Sequence, residues 1–142
     1  MILIAHRGNI NGPNPEKENN PDYIKEALSL GYDVEVDVWD VRGGLMLGHD
    51  YPQHSIPFSF LENKHLWIHC KTVETLSRLV IYPINCFFHN VDDVVLTSKG
   101  YLWTYPGKPL YGNSVCVLPE LFPEQTIPNI IGMCSDFVEK YK

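Results

Sequence analysis

Two histidines, two acids and an arginine gather in the first third of the chain, as His6-Arg7-Gly8, Glu35-Val36-Asp37 and His49-Asp50. All fall where strands are expected to end. Metal-assisted cleavage of a phosphodiester needs such a set: an acid, a base, a cation site and a phosphate clamp. The phosphorus of a diester is screened by negative oxygens and its alkoxide leaves poorly. A divalent cation offsets both problems. Glu35 and Asp37 alternate with Val34, Val36 and Val38, so both carboxylates lie on one strand face. Hard ions such as Mg²⁺ or Ca²⁺ prefer such oxygen donors. An imidazole titrates at about pH 6.5 and can act as acid or base near neutrality. His6 and His49 are therefore the candidate catalytic pair. One attacks phosphorus or takes a proton from the attacking hydroxyl, and the other protonates the leaving oxygen. Arg7 can grip a non-bridging phosphate oxygen with its fork of donors.

The elements that position these groups follow from hydrophobic patterning. Ile2 to Ala5 is a short continuous apolar run and predicts a buried strand ending at His6. Gly8 to Asn20 is polar and rich in Asn, Pro and Gly, and predicts a loop. A helix follows, capped by Asn20, with Pro21 in its first turn and Gly31 beyond its end. Val34 to Val38 is the second strand. Arg42-Gly43-Gly44 turns the chain back into a short strand, Leu45 to Leu47, ahead of His49. Tyr51 to Lys64 reads as mostly loop. Leu66 to Cys70 is strand-like, and Thr72 caps a short helix. Further strands are expected at Cys86 to Phe88, Val115 to Leu118 and Ile130 to Cys134. Val94 to Thr97 and Tyr101 to Thr104 read as a hairpin or two neighbouring strands. His89 and Glu120 each follow a strand end, the former at the rim or in the site. His54 and His65 sit in polar surroundings and read as surface.

A chain of 142 residues suggests one domain with a modest core. The charge of −6, with 11 scattered Lys and Arg, argues against a nucleic-acid partner. The apolar start is too short for a signal peptide or a membrane span, so no membrane partner is expected. The four cysteines lack CxxC spacing and lie in apolar runs. Buried reduced thiols in a cytoplasmic, reducing compartment fit that pattern.

The motifs together resemble the glycerophosphodiester phosphodiesterase family, itself similar to the spider-venom phospholipases D. That family opens on a strand leading into His-Arg-Gly. It continues with Glu-Asn, Glu-x-Asp on the second strand, and His-Asp after a short hairpin. Here these are His6-Arg7-Gly8, Glu18-Asn19, Glu35-Val36-Asp37 and His49-Asp50, ordered over residues 2 to 50. The resemblance implies a metal held by Glu35 and Asp37, with Glu18 as a third carboxylate. It favours His6 as base or nucleophile and His49 as acid. The family's third-strand Glu-x-Lys appears as His69-Cys70-Lys71, so His69 stands at a metal position and Lys71 is kept. An imidazole there admits Mn²⁺ beside Mg²⁺ or Ca²⁺. Lys71 joins Arg7 as a phosphate-binding group. Asn19 and Asp50 orient their neighbours. Trp103, in a late Trp-Thr strand, walls the substrate, and Ser135-Asp136 matches the family's final Thr-Asp step.

The fold expected is α/β: a single domain over residues 1–142, a minimal TIM-barrel-like fold with reduced outer helices. A full barrel of this kind runs to roughly 250 residues. The function expected is divalent-metal-dependent cleavage of a small polar phosphodiester, a hydrolase reaction. The alternative is a noncatalytic phosphate- or sugar-ligand-binding protein on a degenerate phosphodiesterase barrel. Barrel flanks left without helices would be covered in a homodimer.

Overall fold

A computed structural model describes residues 1–142 as a curled, mixed ten-stranded sheet that forms a half-barrel. Strand β1 (Ile2–His6) lies at its centre, parallel to β2 (Asp33–Val41) on one side and to β10 (Gly132–Ser135) on the other. Beyond β2 come β5 (Leu66–Cys70) and β6 (Cys86–Phe88), both parallel. Beyond β10 come β9 (Ser114–Val117) and β8 (Leu102–Thr104), again parallel. The edge strand β7 (Val94–Leu96) runs antiparallel to β8. The far end of β2 carries an antiparallel flap, β3 (Gly44–Leu47) and β4 (His54–Ile56).

This arrangement corrects the expected TIM-barrel-like fold. A TIM barrel alternates strands with covering helices, whereas here the sheet dominates. Only α1 (Pro21–Ser29), α2 (Phe58–Leu61) and α3 (Val73–Leu79) are α-helical, with 3-10 turns at Pro119–Leu121 and Val138–Tyr141. The reason is chain length between strands. Only α1 and α3 fill a β-to-β crossover, while β8, β9 and β10 are joined by loops and a 3-10 turn. The antiparallel β3, β4 and β7 break the repeat as well. The loop expected over Tyr51 to Lys64 also contains β4 and α2, pieces too short for a periodic signal.

Alternation along the strands builds two apolar layers. Ala5, Val34, Val36, Val38, Ile68 and Cys70 face outward and pack under Ile24 and Ala27 of α1 and Leu79 of α3. The α1 helix starts as its sequence predicts: the Asn20 side chain accepts from Asp22 N at 2.9 Å, and Pro21 needs no donor in the first turn. On the inner face, Ile4, Trp67, Phe87, Trp103, Val115, Val117 and Cys134 fill the curl of the sheet. Glu35, Asp37 and His69 belong to the same inward set, since they alternate with outward residues on β2 and β5. The inner layer is thus apolar at one end and polar where the parallel strands finish. All four cysteines are buried and free. No helix is long and apolar enough to cross a membrane.

Candidate active site

The polar end of the curl is a cavity of about 280 Å³. His6, Arg7, Glu35, Asp37, His49, His69 and Lys71 line it, with Trp103 and Tyr105 as aromatic wall. His89 and Asn90 complete the rim. Residues from β1, β2, β5, β6 and β8 or the loops just after them meet here because parallel strands end on the same side of a sheet.

His6 ends β1 and is almost fully enclosed. Its Nδ1 lies 2.7 Å from Asp136 Oδ1, just after β10, while Nε2 faces Glu35 Oε2 at 3.9 Å. Burial acts to lower the His6 pKa, but the Asp136 hydrogen bond and the Glu35 charge outweigh it and raise it above 6.5. Asp136 is held in turn: its backbone N donates to Glu120 Oε1 at 2.8 Å, and Ser135 Oγ donates to Glu120 Oε2 at 2.9 Å. Asn9 Nδ2 donates to Asp136 Oδ1 at 2.8 Å.

Directly after His6 the chain turns sharply. Arg7 takes φ 55°, a left-handed conformation that costs a non-glycine residue energy. Gly8 follows at φ 91°, and a Cβ there would lie 2.8 Å from the Tyr23 ring. The turn aims Arg7 N at Glu35 Oε2 (3.2 Å) and its guanidinium at Glu18 Oε2 (3.2 Å) and Asp37 Oδ2 (3.4 Å). Arg7 therefore sits among carboxylates at the cavity wall. Glu18, expected beside the metal ligands, is held instead by Arg7 and by Asn9 Nδ2 at 2.9 Å.

Asn19 bonds Asp37 through both ends of its amide. Its Nδ2 donates to Asp37 Oδ2 and its Oδ1 accepts from Asp37 N, both at 2.9 Å and buried. This pair fastens the long loop after β1 onto β2.

Asp37, only 1% exposed, pairs in register with His69 across β2 and β5. His69 Nδ1 lies 3.0 Å from Asp37 Oδ1 and 3.8 Å from Glu35 Oε1. The approach to Oδ1 is close but misaligned, so this buried oxygen accepts no hydrogen bond. Lys71 Nζ stands 3.6 Å from the same oxygen. Burial acts to raise the Asp37 pKa, yet His69, Lys71 and Arg7 hold it well below the usual carboxylate range. Glu35 behaves oppositely: burial, then the Asp37 charge, push it up. Two enclosed carboxylates with an orphaned oxygen between them form a site a cation would relieve. One ligand atom from each of Glu35, Asp37 and His69 lies within 4.8 Å of the others, so these three could hold a metal ion.

His49 enters from the flap. Gly48 N donates to Asp37 O at 3.1 Å and Trp39 Nε1 to Gly48 O at 2.6 Å, which fix the preceding residue beside β2. Only glycine fits there, since a Cβ would come within 2.0 Å of Tyr51 O. His49 Nδ1 lies 2.8 Å from Asp50 Oδ1, and Asp50 is 82% exposed. Burial, then Arg7, lower the His49 pKa.

Trp103 is buried and packs against Phe87 with ring centroids 4.7 Å apart and planes tilted by 34°. It belongs to the inner apolar cluster and also lines the cavity. Sequence reasoning did not assign Asp136, Glu120, Asn9 or Tyr105 to the site. His89, left between rim and site, lines the cavity. Its ring stacks on Tyr105 at 3.8 Å and its buried Nδ1 has no partner. Burial, then His69, lower its pKa. The signal available for Asp136 was its place just after the last strand. Its bond to His6 spans 130 residues and has no local trace. His54 and His65 lie away from this cavity, and His65 bonds Asp33 at 2.7 Å. No family model, curated protein or solved structure matches the chain.

Proposed function

We propose that this chain cleaves phosphodiesters with a divalent cation and a two-histidine acid–base pair. The observation that carries the reading is one small cavity lined by both histidines, the candidate cation ligands and two basic side chains. The ordered motifs of the first 50 residues point the same way. Their similarity to glycerophosphodiester phosphodiesterases favours a small polar phosphodiester as substrate.

His6 is the base or nucleophile, because Asp136 fixes its ring and leaves Nε2 toward the cavity. A cation on Glu35 would offset the carboxylate charge that helps raise the His6 pKa and so favour an unprotonated Nε2. His49 is the acid that protonates the leaving oxygen, with Asp50 holding the other ring nitrogen. Arg7 and Lys71 receive the non-bridging oxygens, since both border the carboxylates where a phosphate would dock. A divalent cation at Glu35, Asp37 and His69 would polarise the phosphoryl oxygens and stabilise charge in the transition state. The two carboxylates suit Mg²⁺ or Ca²⁺, and the imidazole extends the range to Mn²⁺.

The test is hydrolysis of an aryl phosphodiester by the purified chain, titrated with Mg²⁺, Ca²⁺ and Mn²⁺. Turnover that needs an ion and is lost in both His6→Ala and Glu35→Ala is the expected result. No turnover with any ion, from folded protein, favours a noncatalytic phosphate- or sugar-binding protein.

A further inference from the structure

The candidate cation site mixes two kinds of donor. Two of its groups are carboxylates on β2 and the third is an imidazole on β5, with all three ligand atoms within 4.8 Å. The nitrogen that faces the carboxylates is Nδ1 of His69, 3.0 Å from Asp37 Oδ1. That oxygen is buried and accepts no hydrogen bond, and a ligand atom of each of the three residues lies within 4.8 Å of the others.

The imidazole is not free to turn aside. Its ring lies flat on Phe87, with centroids 5.2 Å apart and planes within 6° of parallel, and Phe87 is itself buried. A water molecule cannot readily replace a ligand held by packing, so the nitrogen stays in the donor set. Mg²⁺ and Ca²⁺ are hard ions that favour all-oxygen surroundings. Imidazole nitrogen favours first-row transition ions, and affinity for mixed nitrogen and oxygen donors rises along that row.

We infer that the site selects a divalent first-row transition cation over Mg²⁺ and Ca²⁺, with His69 Nδ1 as its nitrogen ligand. The inference rests on the cation site of the proposed function, but not on the reaction.

Mn²⁺ is the probe. Calorimetric titration of the chelator-stripped full chain with Mn²⁺ and with Mg²⁺ gives the preference directly. The wild type is expected to bind Mn²⁺ about 100-fold more tightly than Mg²⁺. His69→Glu, which restores an all-oxygen set, should cut that ratio about tenfold or more. His69→Gln, of similar size but a weak ligand, should weaken Mn²⁺ by about 10- to 100-fold. Pulsed electron paramagnetic resonance of bound Mn²⁺ should show nitrogen coupling in the wild type. That readout needs no variant to fold. A ratio unchanged in folded His69→Glu, bound Mn²⁺ without nitrogen coupling, or no cation bound by the folded wild type would each overturn the inference. Selective, nitrogen-coupled Mn²⁺ binding without diester turnover would uphold it and remove the proposed function instead.

Discussion

At the residue scale, the geometry of the cavity depends on how His6 is held. Asp136 grips its Nδ1 at 2.7 Å, so Asp136→Asn should loosen the ring without emptying the cavity. The pair also makes stability depend on pH. The His6 pKa is raised above 6.5, so its contribution is complete below that value and fades as pH rises through the folded-state value. The Asp136 pKa is lowered below 3.8, despite burial, by the His6 hydrogen bond. Its contribution is present above 3.8 and is lost as pH falls through the folded-state value. Both operate together between 3.8 and 6.5. In chelator, the melting temperature of Asp136→Asn should fall furthest below wild type at about pH 5.5, and the gap should narrow by about 3 °C at about pH 8.5. An equal gap at both pH values would deny the coupling. In turnover, His6→Ala and His49→Ala should each lower kcat by about 10²- to 10⁴-fold, the usual worth of positioned acid–base groups. Steady-state rates on an aryl diester check this.

At the element scale, the site depends on how loops are tied to strand ends. Asn19 bonds both the carboxylate and the backbone of Asp37, and this buried pair joins the loop after β1 to β2. Asn19→Ala should cost about 1–3 kcal/mol of stability, because two buried groups of Asp37 lose their partner. Urea denaturation measures it, and a loss under a few tenths of a kcal/mol would show that the loop is held elsewhere. The inner aromatic layer is the other support. Phe87 packs on both His69 and Trp103, so Phe87→Ala should cost about 3–5 kcal/mol and weaken cation binding through the freed imidazole. These elements differed in how plainly they could be read. Strand β2 was legible because its valines alternate with acids, and α1 because Asn20 and Pro21 mark its start. The flap strand β4 and helix α2 were not, since pieces of three and four residues carry no period.

At the scale of the whole molecule, one face of a curled sheet does two jobs. Trp67, Phe87 and Trp103 fill the inner face at one end, and the cavity occupies it where the strands finish. From the first 50 positions, His6, Arg7, Glu35, Asp37 and His49 line one cavity, while Glu18 is bonded to Arg7 and Asn9. Their convergence was legible because each motif follows its own strand. The Asp136 and Glu120 support was not, because it is made by strands that pair only in the folded chain. The barrel expectation failed for a related reason: local patterns name strands, but the direction of β7 and the flap is set by distant partners. A bound cation should also stabilise the whole fold. At about 100 times its dissociation constant, an ion that binds only the folded state adds about 2.7 kcal/mol. The melting temperature of wild type should therefore rise with Mn²⁺ and that of Glu35→Gln should not.

The reaction proposed for this cavity is the cleavage of a phosphodiester. Phosphorus NMR of a glycerophosphodiester incubated with the chain and Mn²⁺ tests it most directly. The diester resonance should give way to a phosphomonoester or a cyclic phosphate with wild type, and persist with His6→Ala. A diester resonance unchanged with wild type that has demonstrably bound the ion would contradict it.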